Sequence, residues 1–235
     1  SMARAVEKSR TQLTFNHQRR KLPVFLKARE LLRKGAIGKL QRIEAFNPQN
    51  ILDWGTHVVD MCFNMNGDKP AVRVLGQVDA RPGGAWFGIP FEKSAIGRIT
   101  FANGVTAVIQ SGDDKEMVLG FRLIGTDGEI EILEEKPHLR VRAKGKPSLQ
   151  PLKIAGHLHG VETNEHIHAV IKDVTDGLSG RRKPELSMKN ALRATEVIYA
   201  WYESALKRQA VELPLKPGAA NYPALAKAAG IKPGK

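Results

Sequence analysis

Cysteine is nearly absent. Cys62 is the only one among 235 residues, which excludes a disulfide framework and a zinc site built on cysteines. No apolar run approaches the ~20 residues that a membrane-spanning helix requires, so no helix here is expected to cross a bilayer. The first residues lack the charged-then-apolar pattern of a secretory leader, and Ser1-Met2 reads as the scar of a removed expression tag. No Gly-x-Gly-x-x-Gly turn follows a strand anywhere, so the usual cradle for a dinucleotide pyrophosphate is missing. Aromatic residues make up only 6% of the chain, and none interleave the basic clusters as a single-strand stacking platform would require. Acidic residues are also few: 24 against 37 basic ones, for a formal net charge of +13. That excess favours phosphate-bearing partners in general. Its densest clusters, at 19–21, 181–183 and 140–153, are nonetheless dispersed. Polyanion binding is therefore a minor reading, and nucleic acid is not an expected partner.

What remains is ordinary for a globular protein: 42% hydrophobic and 26% charged residues, enough for one large domain or two small ones. Residues 3–13 read as the end of an amphipathic helix and 13–15 as a short strand. Pro23 opens a helix over 24–33, which Gly35 and Gly38 close. A strand over 39–46 and a helix over 56–65 follow. From 71 to 142 the period changes to two, with strands at 71–81, 94–101, 105–110, 120–124, 129–133 and 139–142 separated by turn signals. Such neighbours pair antiparallel, which predicts a meander of five or six strands. Residues 144–159 read as loop. Helices are expected over 162–178 and 187–208, the second with an apolar stripe at Ala191, Ala194, Ile198, Trp201 and Ala205. Beyond Pro214 and Pro217 only one weak helical turn is expected, around 222–229. The fold class is thus α+β: an open, mostly antiparallel sheet with helices packed on one face.

The most informative stretch runs from Asn50 to Met61. On a helix Asp53 and His57 share a face, and Asp60 lies on the next track. A carboxylate beside an imidazole can fix its tautomer and raise its basicity, which suits a general base. Taken alone the spacing proves nothing and better fits a helix-start aspartate and a partly buried histidine. Four histidines cluster later, at 157, 159, 166 and 168. His166 and His168 fall on different helix faces and make poor co-ligands, whereas His159 and Glu162 could bracket a metal across a loop–helix junction.

Several segments together resemble the Gfo/Idh/MocA oxidoreductases. They are Phe15-Asn-His-Gln-Arg19-Arg, Pro23, Arg33-Lys-Gly-Ala-Ile-Gly38, Asp53-Trp-Gly-Thr-His57-Val-Val-Asp60, Phe121-Arg-Leu-Ile-Gly125-Thr-Asp-Gly128 and Gln209-Ala-Val-Glu-Leu-Pro214. The resemblance covers roughly 5–215. It implies the C-terminal domain of that family, of the dihydrodipicolinate reductase/glyceraldehyde-phosphate dehydrogenase-like type. Residues 1–16 would be the last helix and strand of an otherwise missing Rossmann domain, 17–215 the substrate-binding and oligomerisation domain, and 216–235 a tail. The chain then reads as a truncated piece of a longer protein. NAD or NADP would serve the intact parent, with no cofactor expected on this chain and no metal required.

By the same resemblance Asp53 and His57 are the active-site pair, His57 taking the hydroxyl proton of a sugar or polyol. Asn16, His17, Arg19, Arg20, Glu162 and His166 would line the substrate site. For the two arginines, a ligand contact and an ion pair with a nearby acid remain equal readings. Glu7-Lys8-Ser9 imitates the family's catalytic lysine motif but sits too close to Phe15-Asn16, so Lys8 is read as solvated. Asp60 is read as a structural acceptor. The rival to an oxidoreductase is a non-catalytic dimerisation module. One strand face (Ile99, Phe101, Ala107, Ile109) would cover the helices, and the other, with Val105 and Val108, would take a partner sheet in a homodimer or homotetramer. The compartment expected is the cytoplasm, or the periplasm if an export signal precedes the chain.

Overall fold

The computed structural model describes residues 2–9, 11–112, 117–134, 138–154 and 165–231. Helix α1 (Met2–Ser9) leads into an extended stretch and a 3-10 turn at Gln18–Lys21. Then come α2 (Pro23–Arg33), β1 (Leu40–Asn47) and α3 (Trp54–Met65). Strands β2 (Ala71–Trp86), β3 (Ile89–Phe101), β4 (Thr106–Gly112), β5 (Gly120–Gly125), β6 (Glu129–Leu133), β7 (His138–Arg142) and β8 (Gln150–Leu152) follow in order. The chain closes with α4 (Glu165–Leu178), α5 (Met188–Lys207), β9 (Val211–Glu212) and α6 (Tyr222–Ala228).

The α+β expectation holds, but the sheet is larger than a six-stranded meander. Nine described strands stand in the order β8-β7-β6-β5-β1-β4-β3-β2-β9. β1 is inserted between β4 and β5, parallel to β4 (Ala45 opposite Ile109) and antiparallel to β5 (Ala45 opposite Phe121). Turn residues Pro82-Gly-Gly84 do not end β2. The register shifts there, and β2 and β3 continue as a two-stranded ribbon to Trp86 opposite Ile89. The expected strand over 13–15 is only an isolated bridge from Thr14 to Ser187. Part of the expected 144–159 loop pairs as β8 against β7.

The pleat separates the two faces as its period demands. Ile43, Ala45, Ile99, Phe101, Ala107, Ile109, Phe121 and Leu123 are all buried under the helices. The other face is open, with Leu75 49% and Ile96 48% exposed beside Val108. Val105, expected to belong to that open face, is buried in the core. The α5 stripe buries Ala191, Ala194, Ile198 and Trp201, and Ser187 caps the helix through Asn190 N–H. Trp201 lies across Gly76 and Gly97, where a Cβ would stand 2.0 and 2.5 Å from the indole. The tail is no loose appendage, because Tyr222, Leu225 and Ala226 of α6 join the same core.

Candidate functional site

The loop from β1 to α3 is fastened from three sides. Asn47, fully buried, donates to the carbonyls of Gln49 and Asn50 and to Ser111 Oγ at 2.8–3.1 Å. Asn50 Oδ1 accepts the Asp53 N–H at 2.8 Å. Glu92 accepts the Ile51 N–H at 2.6 Å and the Tyr202 hydroxyl at 2.7 Å. Burial pushes the Glu92 carboxyl up, only partly offset by those two donors. This frame fixes where α3 begins, and therefore where Trp54 and His57 stand.

Against the start of α3 packs the 3-10 turn, itself flanked by α4. The rings of His17 and His57 meet edge to face with centroids 5.1 Å apart. Arg19 Nε donates to Glu134 at 2.7 Å, and its guanidinium lies 5.6 Å from the Trp54 ring centroid. His166, on α4, is 7% exposed, and Glu134 acts on it electrostatically. Three stretches far apart in sequence thus bring His17, Arg19, His57 and His166 to one site. Sequence reasoning missed two members. Trp54 carried a signal, three residues before His57 and so on its face. Glu134, at the end of β6, carried none.

The other expected residues fall elsewhere or outside. Asn16 is exposed at the edge of the site. Glu162, His157 and His159 lie outside the described residues. Asp53 stands just before α3 with its backbone engaged, and among the described residues its side chain does not bond His57. Arg20 corrects the substrate-contact expectation. Its side chain has no exposed surface, and it donates to both Asp60 oxygens at 2.7 and 2.8 Å and to Asp68 at 2.9 and 3.2 Å. Burial lowers the proton affinity of Arg20, but hydrogen bonds to Asp60 and Asp68 reverse this and raise it. Burial likewise opposes ionisation of Asp60, yet hydrogen bonds from His17 and Arg20 hold its carboxyl below the usual range. Asp60 is thus a buried acceptor, and Arg20 has no surface left for a ligand.

The expected rise in the basicity of His57 is overturned too. Burial pushes its imidazole down to about 3, helped by the nearby Arg19 cation and His17, and only Asp60 pulls the other way. Desolvation wins over a carboxylate already saturated by Arg20. His57 is therefore neutral at pH 7. Its Nδ1, and that of His166, are shielded from solvent without a hydrogen-bond partner among the described residues. The arrangement offers the neutral imidazole of His57, an indole and one arginine paired with Glu134, a set suited to hydroxyls rather than to a strongly charged group. No described helix is long and apolar enough to cross a membrane.

No family model matches the sequence, and no curated protein does either. The likeness is one of structure. An NAD-binding oxidoreductase from Klebsiella pneumoniae superposes with a TM-score of 0.77 at 15% identity, covering 92% of this chain and 69% of that one. An aldose-aldose oxidoreductase from Caulobacter crescentus, solved with glycerol, gives 0.74 at 18% identity over 90% and 67%. A levoglucosan dehydrogenase, solved with NADH and levoglucosan, gives 0.69 at 18% over 86% and 66%. The chain spans about two thirds of the length of each. It has the fold of oxidoreductase C-terminal domains, the fold that the Gfo/Idh/MocA resemblance implied.

Proposed function

We propose that this chain is the substrate-binding and subunit-assembly part of an NAD(P)-dependent oxidoreductase of the Gfo/Idh/MocA type, acting on a sugar, polyol or related carbohydrate. The observation that carries the reading is the convergence of His17, Arg19, His57 and His166 on one site. It is supported by the fold shared with sugar-binding oxidoreductases. His57, neutral and half-buried, accepts a hydrogen bond from a substrate hydroxyl and takes its proton as negative charge builds on that oxygen. Asp60 favours the imidazolium once formed. Asp53, not bonded to His57, binds a neighbouring hydroxyl. Glu134 holds Arg19 in place and offsets its charge.

The reading places the dinucleotide on another part of the parent protein. Among the described residues the one parallel strand pair is β1 with β4, and β1 reaches α3 through residues 48–53, which contain no glycine, unlike the glycine-rich turn that cradles a pyrophosphate. Assembly uses the open sheet face, as a homodimer or homotetramer.

Calorimetry of this chain with NADH and NADPH, paired with polyol oxidation by the longer parent protein, tests the reading. No cofactor uptake by the chain and at least a hundredfold loss of kcat in the parent on His57→Asn are expected. Tight NADH binding here, or an unimpaired His57→Asn parent, would sink it.

A further inference from the structure

The proton chemistry leaves one buried acid unused. Glu92 lies on β3, 1% exposed, and its two oxygens accept the Ile51 N–H and the Tyr202 hydroxyl at 2.6 and 2.7 Å. By the alternation of β3 it should share the open face with Ser94 and Ile96. It turns to the helix side instead, because β2 bulges beside it. Asp79 stands opposite Ser94 and Gly84 opposite Phe91, so five steps along β2 match three along β3. Gly83 permits the close approach, since a Cβ there would lie 2.3 Å from the Glu92 carbonyl oxygen. Burial opposes the ionised carboxyl, so an apolar side chain would pack in this place at less cost.

What the carboxylate supplies is a grip on the loop that starts α3. Asn47 and Ser111 hold the carbonyls of Gln49 and Asn50, and Glu92 holds the Ile51 N–H. Next to Ile51, Asn50 accepts the Asp53 N–H at its side chain and the Gly55 N–H at its carbonyl, at 2.8 and 3.0 Å. A slip of Ile51 therefore moves the first turn of α3. It carries His57 away from the His17 ring, whose centroid lies 5.1 Å from its own. We propose that Glu92 is a positioning residue, which through Ile51 sets where His57 stands. The proposal rests on the reading of His57 as the proton acceptor, since a base misplaced by about 1 Å loses about a hundredfold in rate.

Glu92→Leu tests it, because leucine keeps the bulk, removes a buried charge and leaves the Ile51 N–H without its acceptor. In the chain, the His57 C2 proton feels the ring current of His17, and an NMR cross-relaxation peak links the two rings. Glu92→Leu should shift that proton and weaken that peak. Glu92→Gln, whose amide oxygen still accepts the Ile51 N–H, should restore most of both. Tyr202→Phe removes the other bond of Glu92 and should lower the urea midpoint without moving the ring pair. In the longer parent protein, Glu92→Leu should lower kcat for polyol oxidation about ten- to hundredfold with the dinucleotide KM unchanged. Glu92→Gln should recover most of that loss. A folded Glu92→Leu chain whose ring pair stays in place, or an equal shift in Tyr202→Phe, overturns the positioning role and leaves Glu92 a brace for stability alone. A moved ring pair with kcat intact in the Glu92→Leu parent overturns the link to catalysis. Full kcat in a His57→Asn parent instead sinks the reading of His57, whatever the ring pair does.

Discussion

At the scale of single residues, two buried groups decide how the site responds to pH and to mutation. His57 is held neutral mainly by burial and secondly by the Arg19 cation. Arg19→Gln should therefore raise the pKa of His57 from about 3, read from its C2 proton by NMR; an unchanged titration would mean that Arg19 is too screened to act. Because the folded pKa lies below the unfolded one, the unfolded chain binds more protons between the two values. Stability contributed by neutral His57 is complete above the unfolded value of ~6.5 and is lost as pH falls toward 3, by at most about 1.4 kcal/mol per pH unit. His166 shifts in the same direction, also through burial. His57→Asn should accordingly flatten the acid limb of a denaturant-midpoint profile, and an unaltered limb would contradict the shift. Arg20 is the opposite kind of residue, a cation held by two aspartates. Asp60→Ala leaves that charge short of its closest partner and should lower unfolding free energy by about 3–5 kcal/mol in urea, whereas a loss under 1 kcal/mol would mean that Asp68 suffices. The sequence placed Asp53 beside His57 because they lie four residues apart, whereas His17, forty residues earlier, joined them only through the family resemblance. It could not separate Arg19 from Arg20, since adjacent residues in a 3-10 turn point to different surroundings. Nor could it reveal Glu134, which meets Arg19 only through the register of β6.

At the scale of elements, the helices and local hairpins were legible and the order of the sheet was not. Hairpin turns such as Ala102-Asn-Gly104 specify the pairing of β3 with β4 directly. The insertion of β1 between β4 and β5 pairs residues more than sixty apart and rests on matching buried faces, which no short window of sequence displays. The β2–β3 ribbon was cut short for a related reason: Pro82-Gly-Gly84 has turn chemistry, yet here it makes strand irregularities. Gly76 and Gly97 illustrate packing that composition conceals. Both lie on the core face where Trp201 crosses the sheet, and Ser204 Oγ accepts the Gly76 N–H at 2.9 Å. Gly97→Ala should destabilise by about 1–3 kcal/mol through overpacking, measured by chemical denaturation. In a Trp201→Leu background the added methyl should cost much less, because the indole atoms it meets at 2.5 Å are gone and only the Leu75 carbonyl at 3.0 Å remains. Strict additivity of the two changes would show that the clash is relieved by other means.

At the scale of the whole molecule, the assembly proposed above rests on the open sheet face. Its centre is apolar, with Leu75, Ile96 and Val108 exposed or half-exposed around Arg98. Its flank is charged but already paired within the chain. Glu44 meets Arg42 and Arg122 at 2.9 and 3.7 Å, Glu129 meets Arg122 and Arg142 at 2.5 and 3.0 Å, and Glu131 meets Arg140 and His138. Covering paired charges is less costly than covering lone ones, because each retains its partner when water leaves. A twofold axis through such a face would set Leu75 and Ile96 of one copy against the same residues of another. Sedimentation equilibrium at micromolar concentration should therefore show a dimer or tetramer. Ile96→Glu should reduce it to a monomer with an unchanged far-ultraviolet dichroism spectrum, since Ile96 is half-exposed and stands outside the core cluster. Lys39→Glu, beyond the patch, should leave the assembly intact and so controls for charge alone. A wild-type chain that stays monomeric would remove the sheet face as a self-association surface. It would then leave the exposed Leu75 and Ile96 without an account, because solvated β-sheet faces rarely keep large aliphatic side chains at their centre.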